Sequence, residues 1–191
     1  MRGLQNTDDG STAHPKIKVR VTVDNSAVLE KKILENQLDF ALIEGTDHSD
    51  RIVFREFKKD ELAVICGADS AYAGRDELSP KELPGLPFLL REKGSGTREL
   101  FDSTMLTHGI AIEPVWESVS TQAIIRRSPP ALGLSVLPGR LVRPDLERRS
   151  IKRLTIKNVR SRRAFSLIDR KDKFLTRSAK EFIKLCGPDA V

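Results

Sequence analysis

Residues 87–100 read PFLLREKGSGTREL. An apolar run from Pro87 to Leu90 ends in Arg91-Glu92-Lys93. Gly94-Ser95-Gly96-Thr97 follows, and the residues after it have helix-forming character. The order is strand, small-residue loop, helix. Ser95 is a favoured N-cap residue. The first-turn amides of a helix have no intrahelical acceptor, and the helix dipole adds about half a positive charge at that end. Gly96 lets a ligand approach the backbone closely. A carboxylate, sulfate or phosphate suits such a place. An ordinary helix start needs the same residue types, so the loop alone does not separate the two readings.

Working outward, the flanking chain repeats this alternation. Ile17, Val19, Val21 and Val23 alternate with polar residues and predict a half-buried strand. NSAVLEKKILENQ follows as a helix of about ten residues, capped by Asn25 or Ser26 and carrying a Lys31/Glu35 pair. LDFALIEG, Leu38 to Gly45, predicts a fully buried strand of the parallel kind. Ile52–Phe57 and Leu62–Cys66 predict two strands joined around Lys58-Lys59-Asp60. Ser79-Pro80 with Glu82 is a capping box opening a helix that Pro84 soon ends. Beyond the opening stretch, a helix closes at Gly109. PVWESVS is a strand, STQAIIRR a helix, and ALGLSVLP, RSIKRLTI and RRAFSLIDR are strands. Leu175, Ala179, Phe182, Ile183 and Cys186 form one stripe of a last helix, which Gly187-Pro188 ends. Strands alternating with helices predict an α/β fold with mostly parallel sheets, divided into two small lobes.

Strand-to-helix loops of parallel sheets lie at the carboxyl ends of the strands, where ligands of open α/β sheets bind. Three such loops carry glycine or hydroxyl residues: Glu44-Gly45-Thr46, Gly94 to Thr97, and Ser118 to Thr121. Enzyme motifs fail here. The Gly94 loop lacks the lysine of a phosphate-binding loop, and Glu99 stands where a dinucleotide fingerprint needs its third glycine. No nucleophile elbow occurs. Asp39 and Glu44 are the nearest approach to paired carboxylates, and no catalytic constellation emerges.

Composition narrows the classes further. Of 191 residues, 39% are hydrophobic and 31% charged, which fits a folded domain rather than a disordered chain. The net charge is +6, but Arg140 to Lys173 holds thirteen Lys and Arg against four Asp and Glu. A solvated face and an anion-binding face both fit that excess. Cys66 and Cys186 are far apart in apolar surroundings, and His14, His48 and His108 are scattered, so no metal site or cofactor is expected. Reduced thiols, no apolar span and no secretory signal predict a cytoplasmic protein away from the membrane.

ILENQLDFALIEG, KDELAVIC, FLLREKGSGTRELFD and ALGLSVLP, in that order and spacing, resemble the effector-binding domain of LysR-type transcriptional regulators. The resemblance runs from about His14 to Gly187. It implies a periplasmic-binding-protein-like (type 2) fold: two Rossmann-like α/β lobes joined by two crossover strands, with a small ligand in the cleft. Lobe I would comprise residues 14–67 and 165–191, lobe II residues 68–164, after a disordered or added start over 1–13. The implied effector-binding residues are Ser95, Gly96 and Thr97, Ser118, Ser120 and Thr121 in the next loop, Gly45 and Thr46 in lobe I, and Gly133. The implied partners are a small anionic metabolite or inorganic anion, a homodimer or homotetramer, and promoter DNA through a separate N-terminal winged helix-turn-helix. The resemblance implies no enzyme activity.

Two departures qualify the resemblance. No DNA-binding domain is present in this sequence. LQNTDDGSTAH is also too short for the strand, Ser/Thr-rich loop and long helix with which family domains begin. Two other readings stay open: a transport receptor with the same lobes, which a signal sequence would mark, and a nucleic-acid-binding module on the basic region. The latter has only Phe165 for stacking.

Overall fold

The structure, a computed structural model, describes residues 19–44, 49–127 and 133–186. Its chain falls into two compact units. One is formed by the residues up to Lys58 together with those from Ala164 onward; the other is Lys59–Arg163. Two long strands, β2 (Ile52–Gly67) and β8 (Arg162–Arg170), carry the chain between them.

In the first unit, helix α1 (Ser26–Leu34) starts where the Asn25 side chain accepts the Val28 N–H at 3.0 Å. The Ser26 hydroxyl donates to the Glu44 carbonyl at 2.8 Å and ties the helix to strand β1 (Ala41–Glu44). Leu29 and Ile33 pack on Ala41, Ile43, Ile52 and Ile168. Strand β1 pairs antiparallel with β8, Ala41 opposite Ile168. Helix α5 (Arg177–Cys186) adds Ile183 to a small cluster with Leu167.

In the second unit, β6 (Leu134–Pro138), β4 (Phe88–Arg91) and β5 (Trp116–Ser118) run parallel, in that order. The outer half of β2 pairs antiparallel with β6 and with β7 (Ile151–Ile156). A two-residue β3 (Glu77–Leu78) lies parallel to β7. Helix α2 (Gly96–Leu106) contributes Phe101 and Met105 to the larger core, against Phe88, Leu90 and Leu134. Helices α3 (Thr121–Arg127) and α4 (Gly139–Glu147) cover a second core through Ile124, Ile125 and Val142, which pack with Ile65 and Leu89.

Several expectations are corrected. The strand expected over Ile17–Val23 does not form across residues 19–23, and Val19, Val21 and Val23 are exposed. Alternation makes a two-faced ribbon, but a strand exists only with a hydrogen-bonded neighbour, and no described strand pairs there. The strand expected over Leu38–Gly45 is, among the described residues, Ala41–Glu44, antiparallel and with Leu42 turned out at 40% exposure rather than parallel and fully buried. The two strands expected around Lys58-Lys59-Asp60 are one strand of 16 residues, because no glycine or proline breaks the run. The Ser79 capping box forms as expected and opens a short helix of the 3-10 kind, Pro80–Gly85, which ends one residue past Pro84. The sheets are mixed rather than mostly parallel. Helix α4 was not anticipated. Cys66 is a free, buried thiol.

Candidate functional site

Parallel register brings two of the expected loops together. Leu89 pairs with Trp116, Leu90 with Glu117 and Arg91 with Ser118. The carboxyl ends of β4 and β5 therefore lie side by side, and Ser95–Thr97 leave one while Ser118–Thr121 leave the other.

At the first loop, Gly94 adopts φ +87°, which lets the chain turn back into α2. The Ser95 carbonyl accepts the Glu99 N–H at 2.9 Å, yet its hydroxyl makes no capping bond to the helix. Ser95 and Thr97 are 3% and 1% exposed, and Gly96 is buried. Thr97 Oγ1 accepts from Arg163 Nη1 at 2.9 Å.

At the second loop, Ser118 Oγ accepts the Ser120 N–H at 3.1 Å, and Ser120 Oγ accepts the Ala123 N–H at 3.2 Å. Ser120 thereby caps α3. Thr121 Oγ1 accepts from Arg91 Nη1 at 3.2 Å, linking this loop to the end of β4.

Arginines brace the edge. Arg98, 5% exposed, donates to the Arg91 carbonyl at 3.1 Å, to Glu117 at 2.6 Å and to Asp102 at 2.7 Å. Burial works against its charge, but the bonds to Glu117 and Asp102 outweigh burial and hold its pKa above the ordinary arginine value. Arg91 is gripped by Glu92 at 2.8 Å. Among the described residues no group of three His, Cys, Asp or Glu side chains could hold a metal ion, and no helix is long and apolar enough to cross a membrane.

Gly133 is not brought to this edge. It precedes β6, whose Leu134 pairs with Phe88 at the amino end of β4. Gly45 and Thr46 lie outside the described residues. Sequence reasoning missed Arg91, Arg98 and Arg163. The Arg98–Asp102 spacing of four residues was a readable signal. No local pattern links Arg163 to Thr97, 66 residues away.

Residues 11–190 match the family model described as the LysR substrate binding domain. The chain is 29% identical over 175 residues to the uncharacterized HTH-type transcriptional regulator YeiE of Escherichia coli (strain K12), covering 92% of this chain and 59% of that protein. It is 30% identical over 155 residues to the HTH-type transcriptional regulator CysL of Bacillus subtilis (strain 168), covering 81% and 52%. The chain thus spans little more than half the length of these relatives. Among solved structures, the CcmR regulatory domain of Synechocystis PCC6803 in complex with 2-PG superposes with a TM-score of 0.83 at 22% identity, over 95% of this chain and 88% of that one. The effector-binding domain of QuiR in complex with shikimate gives 0.80 at 17%, over 95% and 87%. The fold is the type 2 periplasmic-binding-protein-like fold of these regulatory domains.

Proposed function

The chain belongs to the family of LysR substrate-binding domains, and from that premise we propose that it senses a small anion at the edge where β4 and β5 end. The observation that carries this reading is the β4–β5 register, which sets the start of α2 beside the Ser118–Thr121 loop. An eleven-residue helix directs its first amides there with no hydroxyl cap from Ser95. Ser95, Gly96 and Thr97 hold the anion, and Ser118, Ser120 and Thr121 flank it. The domain is a receptor and not an enzyme. In the whole cytoplasmic protein, the bound effector shifts a dimer or tetramer and so changes how a separate DNA-binding domain meets its promoter.

Titration calorimetry with sulfate, phosphate, shikimate and 2-PG tests the site. Trp116, the one tryptophan of the chain, stands two residues before Ser118 and gives a fluorescence readout. Ser95→Ala and Thr97→Val each weaken the best ligand about tenfold, the worth of one hydrogen bond to a charged group. Unchanged binding in both variants removes the site from this edge.

A further inference from the structure

Residues 140–163 hold ten Lys and Arg against two Asp and Glu. Four of these cations are matched by acids. Arg143 and Arg148 pair with Glu147 and Asp145 on their own helix, Lys152 with Asp76, and Arg163 with Asp60. Topology gathers others around a short piece of β2, Lys59 to Glu61. Strands β6 and β8 flank β2 on opposite sides. On the β6 side, at the start of α4, the Arg140 N–H donates to Asp60 Oδ1 at 3.3 Å and its Nε to the Lys59 carbonyl at 3.4 Å. On the β8 side, the Leu62 N–H donates to the Ser161 carbonyl at 2.8 Å, which lays Arg160 and Arg162 beside β2. Arg153 of β7 pairs with Glu61. Lys59, Arg140, Arg153, Arg160 and Arg162 are all exposed, and Glu61 is the exposed carboxylate in their midst. Arg153 first, then Arg162 and Arg160, holds the Glu61 carboxyl below the ordinary glutamate value, so three guanidiniums act on one acid.

The make-up of this patch narrows its partner. Protein interfaces carry an apolar or aromatic centre from which charge is depleted. None of the exposed large apolar side chains among the described residues belongs to this group. A single nucleic-acid strand needs aromatic faces for its bases, and the group has none. The backbone of a duplex needs only spaced cations, because its phosphates line the outside. Four of the five cations are arginines, whose planar fork gives a phosphate two N–H donors at once.

We propose that Lys59, Arg140, Arg153, Arg160 and Arg162 form a contact surface for the phosphate backbone of duplex DNA, one that neutralises phosphates without reading sequence. It stands apart from the anion site at the start of α2, and its failure leaves that reading untouched. Alone, such a surface binds weakly. Beside a tethered domain that already holds the duplex, it acts at high effective concentration and adds affinity and direction.

Fluorescence anisotropy of this chain with a short labelled duplex of arbitrary sequence, followed across salt concentrations, tests the inference. Binding is weak, with a Kd on the order of 10⁻⁵ M near physiological salt. The plot of log K against log salt falls with a slope of about −3 to −4, because Glu61 holds one of the five cations and each of the others releases roughly one counterion. Arg160→Gln and Arg162→Gln each reduce that slope by about one. Lys31→Gln, an exposed lysine on α1 of the other unit, removes the same charge and leaves the slope unchanged. An unaltered slope in both arginine variants overturns the inference. So does an equal reduction in Lys31→Gln, which makes the effect one of overall charge. Absence of a complex at low salt overturns it as well. A tighter complex with a single strand, a poly-glutamate peptide or phosphatidylserine vesicles overturns it in favour of that class of partner.

Discussion

A Cβ added to Gly133 would sit 2.1 Å from the Pro87 carbonyl oxygen, with the backbone at φ +120°. Pro87 and Gly133 each stand one residue before the paired strands β4 and β6, so neither gives way cheaply. Gly133→Ala is therefore expected to cost about 3 kcal/mol, the sum of a backbone clash and a conformation open almost only to glycine. Gly109→Ala, at φ +69° with nothing within 4 Å, should cost only about 1 kcal/mol. Denaturant unfolding checks the pair, and equal midpoint shifts would refute the steric account of Gly133. The same residue marks where sequence reading stops. Caps are local, so Asn25 and the Ser79/Glu82 box were legible from a few neighbouring residues. A close approach between Gly133 and Pro87, or a bond from Arg163 to Thr97, depends on which strands end up adjacent, and no short pattern encodes that.

At the scale of elements, the short helix Pro80–Gly85 is held by one carboxylate. Glu82 accepts two bonds from Arg75, at 2.6 and 3.0 Å, and the Ser79 N–H at 2.6 Å. Arg75 first, then the Ser79 amide, lowers the Glu82 pKa below the ordinary glutamate value. A carboxyl group lowered on folding stabilises the folded state fully above its unfolded value, and that contribution disappears as pH falls through the lower folded value. NMR titration should therefore place the Glu82 midpoint below the ordinary carboxylate range, and Arg75→Ala should return it upward; an unmoved midpoint removes Arg75 as the cause. The elements that sequence reading identified were those with a strong period or sharp ends, such as α2, β4 and α5. Helix α4 escaped because Pro144 lies inside it, and an internal proline reads as a helix stop. The segment 19–23 misled for the opposite reason: the period was clean, but a strand also needs a partner that its own residues cannot supply.

Across the whole molecule, two units hold separate cores. Leu29, Ile33, Ala41, Ile43, Ile52 and Ile168 form one core. Phe88, Leu90, Phe101, Met105, Leu134 and their neighbours form another, larger one. The α/β class, the two-lobe division and the family were legible because they follow from element order and from long quoted motifs. Antiparallel pairing of β1 with β8 was not, because it joins residues more than 120 positions apart. Separate cores predict separate cooperativity, since each core is built from residues of its own unit. Ile33, 1% exposed, fills the smaller core. Ile33→Ala should cost about 2–5 kcal/mol. Native-state hydrogen exchange should then show faster amides over residues 26–44 and 164–170, while those of β4 and β6 keep their protection. Phe101→Ala should reverse the pattern, loosening β4, β6 and α2 and sparing α1. Acceleration spread evenly over both units in either variant would mean that the two cores open as one body.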